Sequence, residues 1–279
     1  MLYLFLAVLC TASVSILIKV SGKYSENEYG IFLFNYLLCF LGAWLMVPKN
    51  ISLSSDGMPF AVILGVVSGF FYLACFVLIK KNMNLNGLVM TSIFNKLSVL
   101  GPVITAVFIF REIPATVQIV GFLLCVAAIV LINSESGMRT DSGKRKMWLV
   151  ILLAVGAFTD SLTVVYNKAG TDSLKDCYLF VTFLSAFVIT CILTRSRHEK
   201  IKFSTVLFGF LVGIPNLFST KCLLLAMKTI PASVVYPVFS AGGIILTTAV
   251  GILMFREKLN RRKAVGAAML AVALVLLNL

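Results

Sequence analysis

The chain alternates between long apolar runs and short polar gaps, and the runs fall in a narrow range of lengths. A bilayer hydrocarbon core about 30 Å thick is crossed by roughly 20 apolar residues of α-helix. A window of that length predicts ten spans: 2–20, 31–47, 58–79, 86–110, 113–132, 147–167, 177–194, 203–227, 230–254 and 260–279. Residues 1–20 lack the basic n-region of a signal peptide and complete a repeat described below, so they read as a span. The connections "FREIP" (spans 4/5) and "KTIP" (spans 8/9) are very tight. In both, proline can start the next helix, where its missing N–H costs nothing. The longest polar stretch, "NSESGMRTDSGKRK" at 133–146, is a connecting loop and too short for a domain.

Composition fits this pattern. Hydrophobic residues make up 60% of the 279 and charged residues 13%, with a mean hydropathy of +1.02. Such a chain has lipid as its main solvent. A net charge of +13 raises the question of nucleic acid. The basic residues, however, sit in gaps between apolar runs and form neither a stripe nor a tail, so no nucleic-acid partner is expected. Seventeen of the 24 Lys and Arg residues lie in the odd-to-even loops (1–2, 3–4, 5–6, 7–8 and 9–10) or at the span ends that border them. Lys49, Arg111, Lys168, Lys175 and Lys228 lie on the opposite side, and Lys96 and Lys221 lie within spans, away from the loop-bordering ends. The positive-inside rule then places the odd-to-even loops in the cytoplasm and both termini outside.

The seven cysteines are scattered singly with no metal-ligand spacing and read as buried thiols. His198 lies in a basic loop. There is no HExxH, GxSxG, P-loop or Asp-rich metal motif, so neither an enzyme nor a cofactor is expected. Without an ATP-binding domain, energy has to come from a gradient or from exchange.

The chain also repeats. A shift of 145 residues aligns "FREIPATVQIVGFLLCVAAIVLIN" (110–133) with "FREKLNRRKAVGAAMLAVALVLLN" (255–278). Phe, Arg and Glu coincide, and so do Val120–Gly121 with Val265–Gly266. Upstream, Val89 meets Val234 and Phe94 meets Phe239. Apolar sequence matches itself cheaply, but a shared polar triplet at a helix end does not. The expected organisation is therefore a first five-helix repeat at 1–133, a loop at 134–146 and a second repeat at 147–279. Five spans is an odd number, so the second repeat enters the membrane from the opposite side. Inverted repeats of this kind suit a midplane site that opens alternately to each face.

Ten spans as five plus five, with a Glu-containing turn before a Gly-bearing helix in each half, resemble the EamA-type transporters of the drug/metabolite transporter superfamily. The resemblance rests on Phe110–Arg111–Glu112 with Gly121 and Phe255–Arg256–Glu257 with Gly266, and it covers essentially the whole chain. It implies an all-α integral membrane protein with a central cavity lined by spans 1, 3, 4, 6, 8 and 9. It also implies cytoplasmic termini, where the charge count puts them outside. The superfamily's small four-span members carry a membrane-embedded Glu in their first helix. Span 1 here has no acid and offers Thr11, Ser13 and Ser15 instead, while Asp160 stands at similar depth in span 6.

Charges within spans cost at least ~2.5–3.5 kcal/mol each at the helix centre, so each needs a partner or water. Counted from the predicted cytoplasmic face, Lys96 lies roughly 15 Å deep, Asp160 roughly 20 Å and Lys221 roughly 26 Å. These three are the expected centre of a substrate site. The alternatives are snorkelling, most readily for Lys221, and a static Lys96–Asp160 pair. Asp160 reads as the only acid deep in a span, and pairing is its expected role. Tyr72, Tyr166, Asn216, Tyr236 and Ser240, with Asn35 and Asn95, are the polar residues of the same apolar runs. For each of them, helix–helix hydrogen bonding competes with substrate binding. Pro102, Pro215 and Pro237 mark kinks or hinges. Gly209 and Gly213 mark close helix packing, and Glu112 and Glu257, at the membrane surface beside Arg111 and Arg256, mark an interfacial ion pair or a helix-end contact rather than substrate binding.

Two lysines against one aspartate give a net charge of about +1. The expected function is thus a secondary transporter of a small organic anion or zwitterion, such as an amino acid, in the cell membrane. Its partners would be the substrate, the bilayer, and a coupling ion such as a proton or else a counter-substrate. The competing readings are a proton-coupled exporter of cationic or lipophilic drugs, with Asp160 as the acid, and a non-transporting scaffold or receptor.

Overall fold

The computed structural model describes residues 1–22, 24, 27–48, 56–133, 143–197, 201–255 and 261–277. Among these residues the regular structure is entirely helical. The α-helices are α1 (Leu2–Ser21), α2 (Glu28–Met46), α3 (Met58–Leu97), α4 (Leu100–Ile104), α5 (Thr116–Asn133), α6 (Gly143–Ala169), α7 (Lys175–Arg197), α8 (Phe203–Ala226), α9 (Ala232–Phe255) and α10 (Arg261–Leu277). A turn of π-helix, Thr105–Ile109, continues α4, and a 3₁₀ turn, Asp172–Leu174, precedes α7. Among the described residues, five stretches are long and apolar enough to cross a membrane: Tyr29–Met46, Met58–Asn82, Met147–Ala169, Asp172–Ser196 and Phe203–Ala226. Shorter apolar helices run over Leu2–Ile18, Leu100–Ile109 and Thr116–Ala128. Apolar side chains such as Phe5, Ile63, Phe70, Phe108, Ile192 and Val272 point outward, as they do where lipid replaces water.

One element corrects the sequence reading. A loop is expected at 80–85 between spans 3 and 4, yet α3 runs unbroken from Met58 to Leu97. Lys81 and Asn82 there find partners on α3 itself and on α6. Asn82 Nδ2 donates to Leu78 O (2.9 Å) and to Trp148 O on α6 (3.0 Å), and Lys81 Nζ stands 3.1 Å over the Trp148 ring. With no proline in "KKNMNLNG", nothing forces a break. The chain leaves regular α-helix at Ser98–Val99 instead.

The chain forms two compact units, and each draws on both sequence halves. The first comprises Met1–Leu73 and Val165–Lys228, the second Ala74–Val164 and Thr229–Leu279. In the first unit α1 and α2 pack on α8, and α2 packs on α7; in the second, α5 packs on α10 and α4 on α9.

Glycine spacing explains the close approach in the first unit. On α8, a Cβ at Gly213 would sit 2.9 Å from the Asn35 carbonyl oxygen, and one at Gly209 3.0 Å from that of Ile31. On α3, Gly65 faces Val181 and the Tyr178 carbonyl of α7, and a Cβ at Gly69 would overlap the Thr182 carbonyl. "GVVSG" (65–69) thus does for α3 on α7 what "GFLVG" (209–213) does for α8 on α2. The sequence reading picked out only the second.

Contacts within the units also group the helix ends. Ser204 Oγ donates to Tyr24 O (3.1 Å), and Tyr24 stacks on Phe208, which joins the α1–α2 connection to the start of α8. Thr171 Oγ1 donates to Asp56 O (3.5 Å), which joins the α2–α3 and α6–α7 connections.

Candidate functional site

In the second unit, small residues let α6 close on the end of α3 and the start of α4. A Cβ at Gly101 would overlap the Ala157 carbonyl, and one at Gly156 would lie 2.9 Å from Ser98 Cβ. This approach brings Ser98 Oγ within 3.3 Å of Asp160 Oδ2, to which it donates. One residue further along α6, Thr105 Oγ1 donates to Ser161 Oγ (3.0 Å), which donates in turn to Ala157 O (2.7 Å). From α9 the buried Tyr236 hydroxyl donates to the Asp160 carbonyl (3.0 Å). Asn95 Oδ1 lies 3.9 Å from Cys75 Sγ. Asp160, half-buried, therefore sits in a hydroxyl-rich seam. Of these hydroxyls, Ser98 is the one that bonds the carboxylate itself, and a donor group on a ligand could take its place.

Lys96 stands on α3 between Asn95 and Ser98, and its side chain lies outside the described residues. Ser240 is buried on α9 one turn beyond Tyr236.

The remaining candidates belong to the first unit. Asn216 Nδ2 on α8 donates to Asn35 Oδ1 on α2 (3.1 Å), and Cys39 donates to Gly213 O (3.3 Å). Asn35 is fully buried, and its Nδ2 has no partner among the described residues. A buried amide donor left this way costs free energy, which an incoming acceptor or a water recovers. Thr220 Oγ1 donates to Asn216 O (3.1 Å) and lies 3.3 Å from the Tyr72 hydroxyl. Asn35, Asn216, Thr220 and Tyr72 thus form one polar strip across α2, α8 and α3. Tyr166 stands apart from it. Its ring stacks on Tyr178 at 4.0 Å and on Phe60, and its hydroxyl donates to Thr171 O (3.3 Å).

Lys221 has a partner that the sequence reading did not give it. Its Nζ lies 3.0 Å from Asp176 Oδ1 at the start of α7, with both side chains about one-quarter exposed. Beside this pair, Lys175 bonds Asp172 at 2.6 Å. The charge count behind the predicted net +1 left Asp176 out because it falls one residue before span 7. The signal that could have found it is the depth of Lys221, which places that lysine near the end where α7 begins. Glu112 makes a helix-end contact, one of the two expected of it: its Oε2 accepts from Ser233 N and Ser233 Oγ (both 3.2 Å) and so caps α9. Glu257 and Arg256, its counterparts in the other half, and His198 lie outside the described residues.

The profile of the family described as Small Multidrug Resistance protein matches residues 175–270, from α7 into α10. The membrane protein YvaE of Bacillus subtilis (strain 168) is 37% identical over 118 residues, which is 42% of this chain and 80% of YvaE. The chain belongs to the small multidrug-resistance-like transporter family. It is accordingly a multi-pass membrane transporter. The multidrug resistance protein EbrA of Bacillus licheniformis is 44% identical to this family member over 55 residues, 20% of the chain and 52% of EbrA. An uncharacterized protein of Haemophilus influenzae resembles this transporter nearly end to end, at 22% identity over 94% of this chain and 92% of its own. One crystal structure shares the transporter's fold with a TM-score of 0.78 at 13% identity, over 99% of this chain and 94% of that one.

Proposed function

We propose that the chain is an EamA-type secondary transporter of the cell membrane, built as two inverted five-helix repeats at 1–133 and 147–279. It moves a small zwitterionic metabolite, such as an amino acid, by alternating access at a midplane cavity. The repeat reading draws support from helices that pack on their counterparts, α2 on α7, α4 on α9 and α5 on α10. The matched glycine pairs on α3 and α8 and the grouping of helix ends support it too.

The observation that carries the substrate class is the Lys221–Asp176 pair. With Lys221 balanced, the charges deep in the spans reduce to one lysine, Lys96, and one acid, Asp160. One charge of each sign suits a zwitterion, with Lys96 meeting a carboxylate and Asp160 an ammonium group. The broader expectation of a plain anion loses one of its two lysines.

A second reading, proton-coupled export of cationic or lipophilic drugs with Asp160 as the acid, is favoured by the family match and by the EbrA relatives. Flux assays in proteoliposomes separate the two. Uptake of labelled amino acids that is lost in both Lys96→Ala and Asp160→Asn supports the zwitterion. Ethidium export that is lost in Asp160→Asn and kept in Lys96→Ala supports the drug exporter. Absence of flux across both panels sinks both substrate readings.

A further inference from the structure

We propose that a cavity between the start of α7 and the end of α8 is a binding site for one oxyanion group, a phosphate or a carboxylate. The cavity measures about 150 Å³, and its charged lining is Asp172, Lys175, Asp176, Lys221 and Lys228, backed by leucines. It lies wholly within the first unit.

Charge is the first argument. Asp172 is bonded by Lys175 and also feels the charge of Lys228, and Asp176 is bonded by Lys221. Lys228, exposed, makes no ion pair within 4.0 Å among the described residues, and three lysines against two aspartates give the lining one excess positive charge. The two aspartates lower the mutual repulsion of three ammonium groups enough for them to share a small space. They do so without cancelling the field, which a singly charged oxyanion would complete.

Burial is the second argument. Lys175 is only 7% exposed and opens α7. A helix N-terminus carries partial positive charge, so a lysine there works against the helix. Desolvating it adds a further cost that a surface ion pair does not recover. Its pair with the largely exposed Asp172 engages one of its three N–H donors, and an anion held beside it would accept from another.

The third argument lies in the sequence. The side of the membrane reached by the α6–α7 and α8–α9 connections is poor in basic residues, with only Lys49, Arg111, Lys168, Lys175 and Lys228. Two of these five line the cavity and are met there by Lys221. On a face that topology keeps nearly free of positive charge, such convergence points to a local anion. The ends of α7 and α8 place the cavity at headgroup level, so the oxyanion can come from an anionic phospholipid or from a soluble phosphate or carboxylate.

The test uses the full-length protein in nanodiscs, with melting temperature and equilibrium binding as readouts. One arm titrates inorganic phosphate in phosphatidylcholine discs. The other replaces phosphatidylcholine stepwise with phosphatidylglycerol in phosphate-free buffer. A saturable rise in melting temperature is expected in at least one arm, and the responding arm identifies the source. Lys228→Gln should weaken the response by about tenfold, and Asp172→Asn should strengthen it several-fold by leaving the lining at about +2. Lys228 is exposed, so its variant reports on charge rather than folding. Absence of saturation in both arms, or a response that Lys228→Gln leaves unchanged, overturns the proposal. Neither result depends on which substrate the transporter carries.

Discussion

Lys221 on α8 and Asp176 at the start of α7 face each other across 3.0 Å, each about one-quarter exposed. A pair at that depth is neither a free surface bridge nor a fully buried one, so removing either partner should cost about 1–2 kcal/mol. Thermal melts of Lys221→Met, Asp176→Leu and the double variant in detergent check this. The double variant should be more stable than the sum of the single losses predicts.

Asp160 sits against Ser98 on one side and Tyr236 on the other. Asp160→Asn keeps the size and removes the charge, and it should lower flux in proteoliposomes by at least tenfold whichever substrate is carried. Ser98→Ala removes one donor to the carboxylate, and its loss should stay within about tenfold, the worth of one hydrogen bond to a charged group.

Gly69 and Gly213 meet carbonyl oxygens of α7 and α2 with no room for a methyl group. Alanine at either position forces the helices apart and should cost about 1–3 kcal/mol, read as a lower melting temperature. The two effects should add, because the glycines lie in different helix pairs.

Glu112 caps α9 through the Ser233 backbone and hydroxyl. Glu112→Ala should destabilise by about 0.5–2 kcal/mol, whereas Glu112→Gln keeps an acceptor oxygen and should cost less. Limited proteolysis near residue 231, compared across the two variants, reads out the fraying.

Single cysteines in a cysteine-free background test the grouping of helix ends. Residues 24 and 204 should be labelled from one side of the membrane, and residues 56, 171 and 228 from the other. Which of these sides is cytoplasmic then decides between the charge count and the family resemblance.

Much of the architecture is written in hydropathy. The apolar windows at 2–20, 31–47, 147–167, 177–194 and 203–227 fall on α1, α2, α6, α7 and α8, because transfer into lipid is a sum over a whole helix and tolerates errors at single positions. The predicted loop at 80–85 failed for the opposite reason. Lys81 and Asn82 are polar, but Trp148 supplies both a ring face and a carbonyl for them, and such a partner 66 residues away leaves no local trace. Asp176 was misjudged at a span edge, where one residue decides whether a charge is counted as membrane or loop. The hydroxyls around Asp160 were overlooked because serine and threonine look ordinary in any apolar helix. Only the approach of Gly101 and Gly156 to their neighbours gives Ser98 its meaning.

The glycine pairs have a last consequence. Gly65 and Gly69 precede Gly209 and Gly213 by 144 residues, while Val89, Phe94 and the Phe-Arg-Glu triplets are offset by 145. One residue has thus been gained or lost in the joint between them, which is an unbroken helix in α3 and a turn between α8 and α9. A residue of helix is about 100° of rotation. The two halves therefore follow one plan with unlike hinges. A chimaera that copied the joint of one half into the other would turn every downstream face away from its neighbours, so the parts are matched in place and not interchangeable.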